Sequence, residues 1–240
     1  MKARDLFERV QTIIQDEDGT HWPLSELNMW LNDGQRTIVE QKPSANTATV
    51  TLDLRPGAYQ ELRYPYSMIL RVISNAYTDK SDGKSRRAIT MADRDQLAAV
   101  LPDWQDEKRA KQQIAHVLYE ETEPRAFYVY PPSDGSGAIS ALVVVVPAPV
   151  DPTDDPDLIG SYDVPLSIDD MYFNCLVHFV IAMAYLKDGQ FNAGSMQRAV
   201  MHFQQFSSLL GVRVTMDSFM SPNNKAGVRS VTPGVDNPNG

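Results

Sequence analysis

Apolar residues in this chain repeat with one period at its two ends and with another between them. Leu6, Val10, Ile13 and Ile14, then Leu24, Leu27, Trp30, Leu31 and Ile38, recur at helical spacing. From Thr47 the period drops to two, with Ala48, Val50, Leu52 and Leu54 alternating with Thr47, Thr49, Thr51 and Asp53, as a half-buried strand requires. Helical spacing returns after Ser167 and runs through Met196, Val200, Phe203, Phe206 and Leu210. A helix buries a stripe and a strand buries one face, so this order of periods predicts an α+β fold. Helix hairpins at the two ends form a helical core, a mainly antiparallel β-rich segment is inserted between them, and an extended tail follows.

Breakers divide the chain accordingly into residues 1–46, 47–146, 147–166, 167–211 and 212–240. Gly19 is read as the left-handed stop of the first helix, Ser25 as the N-cap of the second and Pro43 as its close. Arg55-Pro56-Gly57-Ala58 reads as a turn that returns residues 59–62 beside the first strand. Further strands are expected at 68–77, 114–121, 125–130 and 138–146, with loops at 79–87 and 131–137. Thr90 with Asp93 resembles a capping box for a short helix reaching Val100. Residues 147–165 form a Pro- and Asp-rich linker, and Ser167 is read as the cap of the next helix, which Gly189 stops.

With 240 residues, 42% of them hydrophobic, the chain can bury a sizeable core. A net charge of −9 argues against a broad phosphate-neutralising surface, which needs clustered Lys and Arg. The single cysteine, Cys175, excludes an internal disulfide framework and fits a reducing compartment. The first residues are charged rather than apolar, so no export signal is expected. The most apolar run, 175–186, falls short of the roughly 20 residues needed to cross a bilayer, and no membrane contact is expected.

No motif in the chain assembles a chemistry. Gly83-Lys84-Ser85 ends like a phosphate-binding loop, but Thr78 stands where the motif needs its first glycine. The stretch reads instead as a solvated hairpin tip, with an acidic partner surface as the alternative role for Lys80, Lys84, Arg86 and Arg87. Asp16, Asp18 and Gly19 fit turn formation better than a calcium loop, since the twelfth position is Leu27. Cys175 and His178 share a helix face without a third ligand or an orienting acid, and His21, His116 and His202 fall on other elements. Glu120 and Glu121 point to opposite faces of a strand, and the tyrosines at 64, 66, 77, 128 and 130 read as sheet packing. No catalytic residue, cofactor or metal is expected, and the chain is not read as an enzyme.

Two short stretches carry a likeness: Asp16-Glu17-Asp18-Gly19 with Trp22, and Trp30-Leu31-Asn32-Asp33-Gly34-Gln35. With the framing helix pairs and the tail, they resemble the head-to-tail adaptor (connector) proteins of tailed bacteriophages. The resemblance implies a structural virion protein of the neck, a dodecameric ring that docks below the portal protein and continues the DNA channel to a tail or nozzle protein. DNA would pass without sequence-specific binding, along a wall that is acidic or neutral; Asp151, Asp154, Asp155 and Asp157 are the candidate channel-facing residues. The tail is expected to order on the portal or on a neighbouring subunit. Val214, Met216, Phe219, Met220, Val228 and Val231 would serve as apolar anchors, with Arg213, Lys225 and Arg229 pairing at the rim. Two alternatives are a tail-completion or tail-tube subunit and a virion-borne cell-wall hydrolase, which would need two carboxylates roughly 5–9.5 Å apart in a cleft.

Overall fold

The computed structural model describes residues 1–76, 87–119, 122–189 and 192–211. Its elements are α1 (Ala3–Ile14), α2 (Leu24–Gln41), β1 (Thr47–Asp53), β2 (Gly57–Glu61), β3 (Tyr66–Asn75), β4 (Thr90–Met91), α3 (Arg94–Val100), β5 (His116–Tyr119), β6 (Ala126–Ser133), β7 (Ala138–Val145), α4 (Phe173–Asp188) and α5 (Ala193–Leu210). The class is α+β, with two mostly antiparallel sheets. The chain divides into two compact units, one made of Met1–Gly34, Val150–Leu166 and the chain from Asp170 onward, the other of Gln35–Pro149 with Ser167–Asp169.

In the first unit, helices from both ends of the sequence share one core. Leu6, Phe7, Val10, Leu27, Leu31, Leu176, Phe179, Val180 and Phe206 are all fully buried, each such side chain contributing about 1.5–3 kcal/mol. α4 is buried nearly all round, as its unbroken apolar run demands. The turn between α1 and α2 explains the Asp16 to Trp22 stretch. Gln15, not Gly19, takes the left-handed position that ends α1. The Asp16 carboxylate then accepts from the backbone N–H groups of Thr20 at 3.0 Å, His21 at 3.1 Å and Trp22 at 2.8 Å. This fixes Trp22, whose indole N–H donates to the Ala184 carbonyl at 3.1 Å and whose ring packs edge-on against Tyr185. α2 begins at Leu24, so Ser25 lies inside its first turn rather than capping it. α4 begins at Phe173, after a 3-10 turn at Asp170–Tyr172, later than the sequence reading placed it.

The second unit packs sheet on sheet. One sheet has the order β1-β7-β3 and the other β2-β6-β5-β4. Ile69, Val72, Ile139, Ala141 and Val143 of the first meet Val117, Phe127 and Val129 of the second in one buried cluster. The far face of the second sheet is covered through Trp104, Leu118 and residues of α3. β1 and β2 are not a hairpin: β1 pairs with β7 and β2 with β6. The Gln60 side chain bonds both the N–H and the carbonyl of Arg55, bending the chain out of one sheet into the other. β6 continues through Pro131 and Pro132, residues expected in a loop. It can do so because the β2–β6 register slips between Gly57 and Tyr59, leaving those two prolines without a ladder partner for their missing N–H. Asp93 alone caps α3, accepting from Gln96 N–H at 2.9 Å, while Thr90 belongs to β4. Ser167 caps no helix; its hydroxyl bonds the backbone of Ala148 and its N–H donates to Gln35.

Candidate functional site

The Pro- and Asp-rich stretch is a built loop of the first unit. At its start Val150 is buried and held from both sides: its N–H donates to Asn32 Oδ1 at 2.8 Å, and its carbonyl accepts from Asn28 at 2.9 Å and Asn32 at 3.2 Å. Asn32 belongs to the second stretch noted in the sequence, and this clamp is its local role. Thr153 bonds the Ser161 carbonyl through both N–H and hydroxyl, Asp155 Oδ1 accepts from Asp157 N–H at 3.0 Å, and the Tyr162 hydroxyl donates to Pro156 at 3.0 Å. The Tyr162 ring is buried edge-on against Phe7. Burial, with Asp157 and Asp155 nearby, holds its hydroxyl above the ordinary pKa. At the far end, a hydrogen bond from Lys2 at 2.8 Å lowers the pKa of Asp163. Asp151, Asp154, Asp155 and Asp157 are all exposed on this loop, with Leu158 beside them 57% exposed. The loop therefore presents four carboxylates and one apolar side chain on a frame whose backbone is tied down.

The second unit carries the opposite charge in a concave place. Arg87, Arg109 and Lys111 line a cleft of about 400 Å³ together with Ile114, Tyr130 and Pro131. The three cations are exposed, and among the described residues none of them stands in an ion pair. The frame is rigid here as well. Buried Asn75 accepts from Ile114 N–H and donates to the carbonyls of Ile114 and Arg87, at 2.9–3.0 Å, and Lys111 N–H donates to Pro132. Sequence reading singled out Arg87 with its loop but missed Arg109 and Lys111, although Lys108-Arg109-Ala110-Lys111 is a compact cationic run. A second cleft of about 400 Å³, lined by Val39, Pro43, Met68, Val144 and Val146, is apolar.

Cys175 and His178 do not form a pair. The thiol is buried and points to the Phe206 carbonyl at 3.6 Å. His178 instead meets His202 of α5, Nδ1 to Nδ1 at 2.9 Å, so His202 is not the isolated histidine that sequence reading made it. His21 likewise has a partner, Asp188, at 2.9 Å. Among the described residues no group of three or more His, Cys, Asp or Glu is arranged to hold a metal ion, and no helix is long and apolar enough to cross a membrane. The tail residues Arg213, Val214, Met216, Phe219, Met220, Lys225, Val228, Arg229 and Val231 lie outside the described residues, as do Gly83-Lys84-Ser85, Glu120, Glu121 and Tyr77.

Each unit thus carries a charged surface of its own, acidic on the first and cationic on the second. The family model of the SU10 adaptor protein matches residues 1–226, and the chain belongs to that family of bacteriophage head-to-tail adaptors. No curated protein matches the chain.

Proposed function

We propose that the chain is a ring-forming structural component of the virion neck. Twelve copies dock below the portal of a filled capsid and continue the DNA channel towards the tail or nozzle protein. The observation that carries this reading is the family match over residues 1–226, which takes in the helical ends and the β-rich middle alike. Charge supports it: at −9 per copy, the net field of a ring repels phosphate, which favours a duplex that slides rather than sticks. The tail clamps the ring to the portal. Electron cryomicroscopy of the purified protein mixed with portal-bearing, DNA-filled heads tests the proposal. A twelve-fold layer coaxial with the portal is the expected result. Binding along the tail tube, or no binding to filled heads, overturns it.

A further inference from the structure

The two charged surfaces complement each other, and neither is used up within the unit that carries it. The loop of the first unit offers Asp151, Asp154, Asp155 and Asp157, all exposed, with the exposed apolar Leu158 next to them. The cleft of the second unit offers Arg87, Arg109 and Lys111 around an apolar lining of Ile114, Tyr130 and Pro131. Asp134, whose N–H donates to the Lys111 carbonyl, has its carboxylate engaged by the N–H and hydroxyl of Ser136. We infer that the acidic loop of one copy docks in the cationic cleft of the next, making this the contact that closes the ring. The inference rests on the ring reading above. It gives the four acids a role between copies in place of the channel-facing one expected from the sequence.

Three physical arguments favour a second copy as occupant. A ring is built from heterologous contacts in which each subunit offers one patch forward and a different, complementary patch backward. A single chain that carries an acidic loop and a separate basic recess has two unlike, complementary patches of the kind such a contact uses. Copies carrying −9 each repel at long range, so adjacent subunits need a local reversal of sign to choose one register, and a recess of three cations supplies it. Both surfaces are also preorganised. The Val150 clamp and the bonds of Thr153 and Tyr162 hold the loop, and the Asn75 bridge holds the cleft, so little chain entropy is lost on docking. Leu158 supplies the apolar anchor that a charged rim alone lacks. Duplex DNA is the competing occupant. Three recessed cations neutralise few phosphates, whereas the acidic loop already present on every copy opposes them in sign with four carboxylates.

The test uses the full chain and reads ring assembly by sedimentation velocity and electron microscopy over a range of concentrations. One variant reverses the cleft, Arg109→Glu with Lys111→Glu, and a second reverses the loop, Asp151→Lys with Asp154→Lys and Asp157→Lys. All substituted side chains are exposed, so circular dichroism should match the wild type. Each variant alone should need at least about tenfold more protein to assemble, a loss expected of one good interfacial contact. An equimolar mixture of the two should recover assembly as alternating rings, because each reversed loop then meets a cleft of opposite sign. Wild-type rings with variants that assemble equally well would overturn the contact and leave the ring reading standing. Reversed variants that fail alone and stay apart when mixed would also overturn it. A wild type that never assembles would remove the ring reading and this contact together. Intact rings with salt-sensitive binding of duplex DNA lost only in the cleft variant would reassign the cleft to phosphate.

Discussion

His178 of α4 and His202 of α5 face each other with their Nδ1 atoms 2.9 Å apart. Only one of two neutral rings can supply the proton of that bond, and the other must offer its lone pair. Arg9 of α1 adds positive charge near His178, Tyr185 stacks on His202, and Arg198 lies over Tyr185. No carboxylate stands among these groups, so nothing in the set favours an imidazolium.

The pair makes stability depend on pH in a defined direction. Burial holds both imidazoles below their ordinary value of 6.5, aided by Arg9 at His178 and by His178 at His202. As pH falls below about 6.5 the unfolded chain takes up protons that the folded chain refuses, so stability that is full above this value is lost on acidification. Each proton contributes a slope of at most about 1.4 kcal/mol per pH unit. Denaturant midpoints measured between pH 7.5 and 5 should fall for the wild type and flatten when both residues are changed to Gln. Equal slopes in the two proteins would show that the pair does not titrate as described.

Gly34 is a packing residue. A Cβ there would lie 2.8 Å from Phe179 Cδ1 and 3.0 Å from Leu176 Cδ2, so α2 approaches α4 as closely as only glycine permits. Gly34→Leu should cost about 1–3 kcal/mol through overpacking, more than Gly34→Ala, whose better helix propensity offsets part of the strain. Gly160→Ala, where nothing lies within 4 Å, is the control. Thermal unfolding of the three variants decides: a Gly34→Leu protein as stable as the control would mean that α4 yields at this point.

How far the sequence could be read depends on whether the partners lie within one element or across several. The helical stripes and the alternation at Thr47 report which face of a single element is buried, and they placed α1, α2, β1, β7 and α5 close to where they stand. Gly211 sits left-handed at the end of α5, as its position implied. Strand partners are a different matter, since Gly57 to Glu61 fits beside β1 as well as beside β6 by pattern, and only Gln60 folding back on Arg55 decides. The histidine pair was legible in principle. Counting equal steps back from the turn near Gly189 and Asn192 sets His178 opposite His202, as it sets Cys175 opposite Phe206. The cationic cleft was not, because Arg87 is tied beside Ile114 by Asn75 of β3, and Arg87 is remote in sequence from Arg109 and Lys111.

The Val150 clamp should govern how firmly the acidic loop is held. Asn32→Leu removes the acceptor of the Val150 N–H and one donor to its carbonyl. A buried backbone group left without its partner costs about 1–3 kcal/mol, felt first where the loop opens locally. Hydrogen exchange should quicken at residues 150–158 before it quickens in α4. Uniform quickening across the first unit would mean that Asn32 supports the helical core instead of the loop.

The proposed clamping of the ring to the portal can be tested through the tail. In the proposed clamp Val214, Met216, Phe219, Met220, Val228 and Val231 would anchor on another surface, with Arg213, Lys225 and Arg229 pairing at its rim. The family match extends to residue 226, so the first four anchors belong to the shared part of the chain and the last two do not. Deleting residues 221–240 removes Lys225, Val228, Arg229 and Val231 and leaves every described residue in place. The shortened protein should unfold at the same temperature as the full chain and attach to filled heads at least about tenfold more weakly, the loss of one strong anchor. Attachment at full strength would restrict the clamp to residues 212–220, and a second deletion from Val212 that still attached normally would remove it altogether.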